Sequence, residues 1–167
     1  HPHKTPRRQR QMCIRDSAGG IPIVRTIKEG LATNKITKVY GILNGTCNYI
    51  LSQMEKTKDS FKNVLKNAQK LGYAEPGNPK LDLNGYDALA KVKILSALAF
   101  NCKISKSQSL MEGIEKIEAT DFDIVEKLNL RIKLLGITEI INNKIFERVH
   151  PCLVSRDSYI GNVTDVM

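Results

Sequence analysis

Apolar positions along the chain repeat with two different periods, which predict a mixture of helices and strands. Spacing of three or four residues predicts helices over residues 22–33, 46–54, 61–71, 85–100 and about 120–130. Segments rich in β-branched residues predict strands over 36–43, 132–141 and 144–154, with a short strand within 109–117. Asn142-Asn143 predicts a hairpin between the last two long strands. Together these elements predict an α+β fold, a mixed sheet with helices packed on one face.

Polar residues between these segments predict where several elements begin and end. Asp59 or Ser60 can cap the third helix, and Thr120 with Asp123 predicts a cap for the last helix. Asn44-Gly45 predicts a turn after the first strand. Residues 73–84 have no period, which predicts a polar loop, whereas the helix over 85–100 is apolar over so wide a face that we expect it to be largely buried.

Composition indicates one globular domain that does not span a membrane. The chain has 167 residues, of which 41% are hydrophobic and 26% charged, without the roughly 20-residue apolar stretch of a transmembrane helix. The four cysteines have no CxxC spacing, which disfavours a structural metal. We therefore expect reduced cysteines and a cytoplasmic location.

The net charge of +9 raises the question of nucleic-acid binding, but much of it lies in the first sixteen residues. Residues 1–16 carry five Lys and Arg, and their MCIRD segment resembles a translated sequencing adapter. We expect residues 1–16 to be a foreign, disordered tail and residues 17–167 to form one domain that is incomplete at its C-terminus. The remaining lysines lie beside acids, so we expect no nucleic-acid partner.

Residues with chemical potential are concentrated in the loop 73–84 and the helix that follows. Asp87 and Lys91 are four residues apart, so they share one helical face within ion-pair distance. An exposed pair of this kind contributes about 0.3–0.5 kcal/mol and needs no function. The loop adds Glu75 and Asp82, and carboxylates grouped around one lysine suit a cationic small substrate with proton transfer at the lysine.

The same segment carries a family resemblance. AQKLGYAEPGNPKLDLNGYDALAK (68–91) resembles the homoserine dehydrogenase signature, in which A-x-x-x-G is followed by N/D/S-P-x-x-D-x-x-G-x-D-x-x-x-K. Flanking segments are also similar to the catalytic domain of this family, namely AGGIPIVRTIKEGLATNKI, GILNGTCNYIL, RIKLLGITEI and RVHPCLV. The resemblance covers about residues 17–167.

The resemblance implies an oxidoreductase of threonine, methionine and isoleucine biosynthesis that interconverts L-homoserine and L-aspartate 4-semialdehyde with NAD or NADP. It implies that Lys91 is the acid/base and that Asp87 orients it. Residues expected to bind the amino-acid substrate are Glu75, Asp82, Thr46, Tyr73 and Gly45. It also implies a homodimer formed through the sheet, and a monovalent cation (Na⁺ or K⁺) on the backbone carbonyls of Gly19 and Ile21.

The sequence departs from the family by lacking a G-x-G-x-x-G dinucleotide fingerprint after a strand. The cofactor-binding half of the site is therefore expected to be missing, and the chain alone is expected to be inactive. Two other functions stay open at this point. One is the substrate domain of another two-domain amino-acid dehydrogenase, and the other is a basic binding module that acts through residues 1–16.

Overall fold

The chain folds around a mixed four-stranded sheet. The computed structural model describes residues 21–77, 79–104 and 108–164 of the chain. The strands are β1 (Lys38–Gly41), β2 (Leu110–Met111), β3 (Leu130–Ile141) and β4 (Lys144–Ser155), in the order β1-β3-β4-β2. Strand β3 pairs antiparallel with β1 and β4, and β2 pairs parallel with β4. The predicted fold class is confirmed.

The long β3–β4 hairpin forms the centre of the sheet, and its turn lies at the predicted position. Its register runs from Leu130 opposite Ser155 to Ile141 opposite Lys144. Asn142 and Asn143 have φ of 50° and 61°, the left-handed region that asparagine tolerates best among residues with a side chain. Two such residues in succession match the right-handed twist of a two-residue hairpin.

Helices account for about half of the described residues outside the strands. The helices are α1 (Ile23–Arg25), which continues into a π-helical turn (Thr26–Gly30), α2 (Gly45–Thr57), α3 (Phe61–Lys70), α4 (Lys80–Leu83), α5 (Tyr86–Ala99) and α6 (Ala119–Lys127). Ser60 caps α3, as predicted, by accepting a hydrogen bond from Asn63 N. Within the described residues, no helix combines the length and apolar character required to cross a membrane.

Three boundaries differ from the predictions. The first helix ends at Gly30 rather than at residue 33, and its last turn has π geometry. Helix α6 begins at Ala119, so the predicted cap at Thr120 is wrong. The N-cap is Glu118, whose backbone N–H donates to the Asp121 carboxylate at 2.8 Å. Strand β1 has four residues rather than eight, because its pairing with β3 extends no further.

The short strand predicted within 109–117 is present as β2, which is two residues long and pairs with β4. Two other segments differ from the predictions. The loop predicted over 73–84 contains α4, a single turn that begins after Pro79. Helix α5 is less buried than its composition suggests, since Ile94 is 42% exposed.

Helix α5 packs closely on the sheet because β3 has a glycine beneath it. A Cβ atom on Gly136 would lie 2.5 Å from Val92 Cγ2 and 2.7 Å from Leu43 Cδ1, closer than real side chains approach. Two residues further along β3, buried Thr138 Oγ1 donates to Ser96 Oγ of α5 at 3.0 Å. These contacts fix the helix that carries Asp87 and Lys91 against the rigid centre of the sheet.

Helix α2 is fixed beside the same strand by charged groups. Arg156 Nη2 donates to Glu55 Oε1 at 2.7 Å, and Arg131 Nε lies 3.2 Å from the same oxygen. The ammonium of Lys133, a buried residue of β3, donates to Asn48 Oδ1 of α2 at 3.1 Å and to Val163 O at 2.5 Å. Buried cations need partners of this kind, and here the partners determine where the N-terminus of α2 lies.

The sheet surface opposite α5 is called the open face. It is formed by Lys38, Tyr40, Leu135, Ile137, Glu139 and Arg148, which share one side in the cross-strand register. Glu139 lies between Arg148 Nη2 at 2.6 Å and Lys38 Nζ at 3.3 Å. The hydrogen bond from Arg148 is the main reason that the pKa of Glu139 is lowered. Tyr40 is 58% exposed, so this face combines an ion pair with accessible apolar surface.

The packing predicts that Gly113 cannot accept a methyl group. A Cβ atom there would overlap the Leu83 carbonyl oxygen and lie 2.5 Å from Asn84 Cα, and backbone atoms cannot move aside as a side chain can. We expect Gly113→Ala to lower the free energy of unfolding by about 1–3 kcal/mol in urea titrations. Gly41→Ala is the control, because its Cβ would meet no described atom within 4 Å. Equal losses in the two variants would contradict this packing.

Candidate functional site

A cluster of polar side chains lies where α2, α4 and α5 begin or end close together. At its centre, Lys91 Nζ donates to Asp87 Oδ2 at 2.7 Å and to the Leu43 carbonyl oxygen at 2.9 Å. The Lys91 and Asp87 side chains are 28% and 34% exposed, so the pair is partly buried, and the solvent-accessible space beside it is called the cleft. An ammonium has three protons to donate, and the described residues accept two of them, which leaves one for an acceptor that enters the cleft.

The start of α5 explains why this pair has its geometry. Gly85 precedes the helix with φ of 90°, and Asp87 lies in the first turn, where a carboxylate is stabilised by the helix dipole. Lys91 follows one turn later on the same face. The carbonyl of Leu43, from the segment between β1 and α2, then fixes the ammonium from the other side.

Asn44 joins the two aspartates, a role that was not predicted from the sequence. Its amide nitrogen donates to Asp82 Oδ1 at 2.8 Å and to Asp87 Oδ2 at 2.9 Å, while its amide oxygen accepts from Cys47 N at 2.8 Å. The dipeptide Asn44-Gly45 was interpreted as a turn, but Asn44 is the N-cap of α2. The preference of N-caps for asparagine could have indicated the cap, whereas nothing in the sequence indicated the two carboxylates.

Thr46 and Tyr73 contact each other at the edge of the cluster. Thr46 Oγ1 donates to the Tyr73 carbonyl oxygen at 2.9 Å, so its own lone pairs stay available as acceptors. The Tyr73 ring packs on Tyr49 with centroids 4.5 Å apart, which orders the start of the loop. Gly45 begins α2, and the first-turn amides of Gly45 and Thr46 have no intrahelical acceptor.

The remaining predicted site residues are placed differently. Glu75 is exposed, its carbonyl accepts from Gln69 Nε2 at 3.0 Å, and no hydrogen bond or ion pair in the described residues joins its carboxylate to the cluster. Gly19 lies outside the described residues. Ile21 is 46% exposed, and its carbonyl accepts from Ile23 N at 2.7 Å. The cation site therefore stays a prediction.

An apolar cavity of about 210 Å³ adjoins the cluster on the far side of Leu43. Its walls include Val39, Leu43, Val92 and Ile160. The cavity and the cluster share Leu43, and the lining of the cavity includes none of Asn44, Asp82, Asp87 and Lys91.

Cys47 lies beneath the aspartates and is chemically inert there. It is fully buried, and its Sγ donates to the Asp82 carbonyl oxygen at 3.2 Å. Burial raises the pKa of the thiol well above its usual range, and the charges of Asp82 and Asp87 raise it further. Cys47 is therefore a packing residue rather than a nucleophile.

Three comparisons relate the chain to known proteins. The family model described as homoserine dehydrogenase matches residues 22–167. A homoserine dehydrogenase from Neisseria gonorrhoeae is 47% identical over 150 residues, which is 90% of this chain and 34% of that protein. One from Helicobacter pylori is 47% identical over 149 residues, 89% of this chain and 35% of that protein. The crystal structure of a homoserine dehydrogenase from Thiobacillus denitrificans has a TM-score of 0.86 at 45% identity, over 89% of this chain and 34% of that one. The chain thus spans about a third of these relatives.

The buried thiol of Cys47 predicts a dependence of stability on alkaline pH. Above about pH 9 the thiol ionises in the unfolded chain but not in the folded one. Unfolded molecules then bind fewer protons, so the free energy of unfolding falls by up to about 1.4 kcal/mol per pH unit from this group. We expect Cys47→Ala to reduce this decline in urea titrations from about pH 8 to 11, and half-buried Cys102→Ala to leave it unchanged. If the free energy of unfolding declines equally with pH in wild type and in Cys47→Ala, the decline does not come from the Cys47 thiol.

Proposed function

Because the chain belongs to the homoserine dehydrogenase family, we propose that it is the substrate-binding and proton-transferring part of such an enzyme. The reaction is the interconversion of L-homoserine and L-aspartate 4-semialdehyde, a step in threonine, methionine and isoleucine biosynthesis. The observation that carries the proposal is the Lys91 ammonium, which lies in a cleft between Asp87 Oδ2 and the Leu43 carbonyl with one proton left for a substrate oxygen.

Lys91 is the proposed acid/base. Reduction of the aldehyde develops an alkoxide, which needs a proton from a positioned group. The third proton of the Lys91 ammonium serves this need and leaves an uncharged amine, and in the reverse direction that uncharged amine takes up the hydroxyl proton. Asp87 accepts from Lys91 at 2.7 Å, which balances the ammonium charge and directs the nitrogen into the cleft.

The amino acid itself is proposed to bind through both of its charged ends. Asp82 and the exposed Glu75 supply carboxylates for the substrate ammonium, and Thr46 Oγ1 adds an acceptor because its proton is donated to Tyr73. The first-turn amides at Gly45 and Thr46 suit the substrate carboxylate, since the N-terminus of a helix attracts anions. Tyr73 closes this side of the site through its packing on Tyr49.

The hydride belongs to the NAD or NADP expected of a dehydrogenase, and no residue of this chain is assigned to it. Dinucleotides bind to parallel strand–helix–strand units, and the strands of the described residues pair antiparallel except for the two residues of β2. These residues do not fit the cofactor, so the proposal keeps the expectation that the chain alone does not oxidise L-homoserine. The monovalent cation also remains part of the proposal, with the Ile21 carbonyl as one ligand and Gly19 as the other.

A cytoplasmic location and a homodimer complete the proposal. The described cysteines, Cys47, Cys102 and Cys152, are free, which is typical of a reducing compartment. The open face supports the homodimer through Tyr40, which is 58% exposed beside the ion pairs of Glu139, whereas Leu135 and Ile137 on this face are 5% and 7% exposed. The basic segment 1–16, on which a nucleic-acid-binding alternative would rest, lies outside the described residues.

We expect the two ends of the site to respond differently to mutation. The test enzyme is a chimera in which residues 22–164 replace the matching segment of the Neisseria gonorrhoeae relative. Lys91→Ala should lower kcat at least ~10²-fold with little change in cofactor KM, because a general acid acts in the transition state.

Glu75→Ala is the matched comparison in the same enzyme. A binding carboxylate acts in the ground state and the transition state alike, so this variant should raise the KM for L-homoserine more than it lowers kcat. Steady-state kinetics separate the two patterns. Near-normal turnover by Lys91→Ala would leave the Lys91–Asp87 pair with a structural role alone.

If the chain dimerises through the open face, a charge introduced on that face should prevent dimer formation, whereas a charge introduced elsewhere should not. Tyr40 on the open face and Ile124 on α6 are 58% and 59% exposed, so an aspartate at either position meets similar solvent in the monomer. We expect light scattering at micromolar concentration to show a dimer for wild type and Ile124→Asp, and a monomer for Tyr40→Asp. A monodisperse wild-type monomer would refute the dimer.

A further inference from the structure

Asn44 is a buried amide that contacts three separate segments of the site. It is 6% exposed and precedes α2, while its partners Asp82 and Asp87 lie on α4 and α5. Both protons of its amide nitrogen are directed at carboxylate oxygens, at 2.8 Å and 2.9 Å. Its amide oxygen accepts from Cys47 N, which caps α2. The amide thus links the starts of α2 and α5 to α4.

The chemical problem at this position is that two carboxylates approach one another. Like charges at close range repel, most strongly where water is excluded. The Lys91 ammonium reaches Asp87 at 2.7 Å, and its other described partner is the Leu43 carbonyl, so Asp82 depends on a different donor. A primary amide supplies two N–H donors and a separate acceptor without adding charge, which is what the two carboxylates and the helix cap require together.

Asp87 Oδ2 is the atom that connects Asn44 to the lysine. The same oxygen accepts from Asn44 Nδ2 at 2.9 Å and from Lys91 Nζ at 2.7 Å. The position of this oxygen helps to determine where the ammonium lies, and the amide restricts that position. Loss of the amide would leave Asp87 held by Lys91 alone among the described residues, and it would leave α2 joined to α4 by the hydrogen bond from Cys47 Sγ to the Asp82 carbonyl.

We infer that Asn44 is a positioning residue. Its amide holds the carboxylates of Asp82 and Asp87 beside each other and thereby fixes the Lys91 ammonium in the cleft. The inference rests on the proposed function where it concerns L-homoserine binding. It goes beyond that function by assigning a role to a residue that itself donates no proton to the substrate. Its structural part, the attachment of α4 to α2 and α5, stands on the hydrogen bonds alone.

Two variants separate this role from helix capping. Asn44→Asp is nearly isosteric and Asn44→Ser is uncharged, and both keep an oxygen that caps α2 about as well as asparagine does. Both remove the two amide donors. Ser60→Ala is the control, because it removes the N-cap of α3 without touching the cluster. All measurements use the 167-residue chain.

The first readout is amide hydrogen exchange, which needs no ligand. The amides of Leu83, Asn84 and Gly85 donate to Pro79, Lys80 and Asp82 carbonyls within and just after α4. In Asn44→Ser and Asn44→Asp we expect these amides to exchange at least ~10-fold faster, because two bonds to charged acceptors are lost. The amide of Asn48, which donates to the Asn44 carbonyl, should keep its protection. Unchanged exchange in α4 would overturn the inference.

The second readout is the Kd for L-homoserine by calorimetry, beside the thermal unfolding midpoint. We expect Asn44→Ser to raise Kd at least ~10-fold and to lower the midpoint, and Ser60→Ala to lower the midpoint with an unchanged Kd. If α4 exchanges faster in the Asn44 variants but the wild-type chain does not bind L-homoserine, the proposed substrate is wrong. The attachment of α4 by Asn44 still stands in that case. Normal Kd in both Asn44 variants would overturn the positioning role.

Discussion

The hydrogen bonds that converge on Asp87 Oδ2 are the constraint on which the rest of the site depends. One comes from an ammonium, Lys91, and one from a neutral amide, Asn44. The arrangement keeps a cation and two carboxylates together in a half-buried cleft, where isolated charges would be costly. The cap of α2 and the position of α4 are joined to this arrangement through the same Asn44 amide.

The fold supplies this geometry through the contacts of two helices with one strand. Gly136 lets α5 approach β3 closely, and buried Lys133 on the same strand fixes α2 through Asn48. The first turn of each helix then points a different group into the cluster, a carboxylate from α5 and an amide cap from α2. A shift of either helix would separate groups that come from positions 38 and 43 residues apart.

Local signals in the sequence predicted the parts of the structure that local chemistry determines. The Asn142-Asn143 turn, the Ser60 cap and the i,i+4 pair of Asp87 and Lys91 all depend on residues a few positions apart. Strand β2 and the attachment of α4 depend on partners far along the chain, so no period revealed them. Asn44 illustrates the limit, because a cap and a turn share the same asparagine preference, and its two carboxylate partners are visible in the folded chain alone.

The proposed function depends most on a hydrogen bond between the substrate hydroxyl and the Lys91 ammonium. A crystal structure of the chain bound to L-homoserine tests this contact directly. We expect the hydroxyl oxygen within hydrogen-bond distance of Lys91 Nζ, about 2.7–3.2 Å, and the substrate ammonium facing the carboxylates of Asp82 and Glu75. L-homoserine bound with its hydroxyl remote from Lys91, while Nζ remains on Asp87 and Leu43 alone, would contradict it.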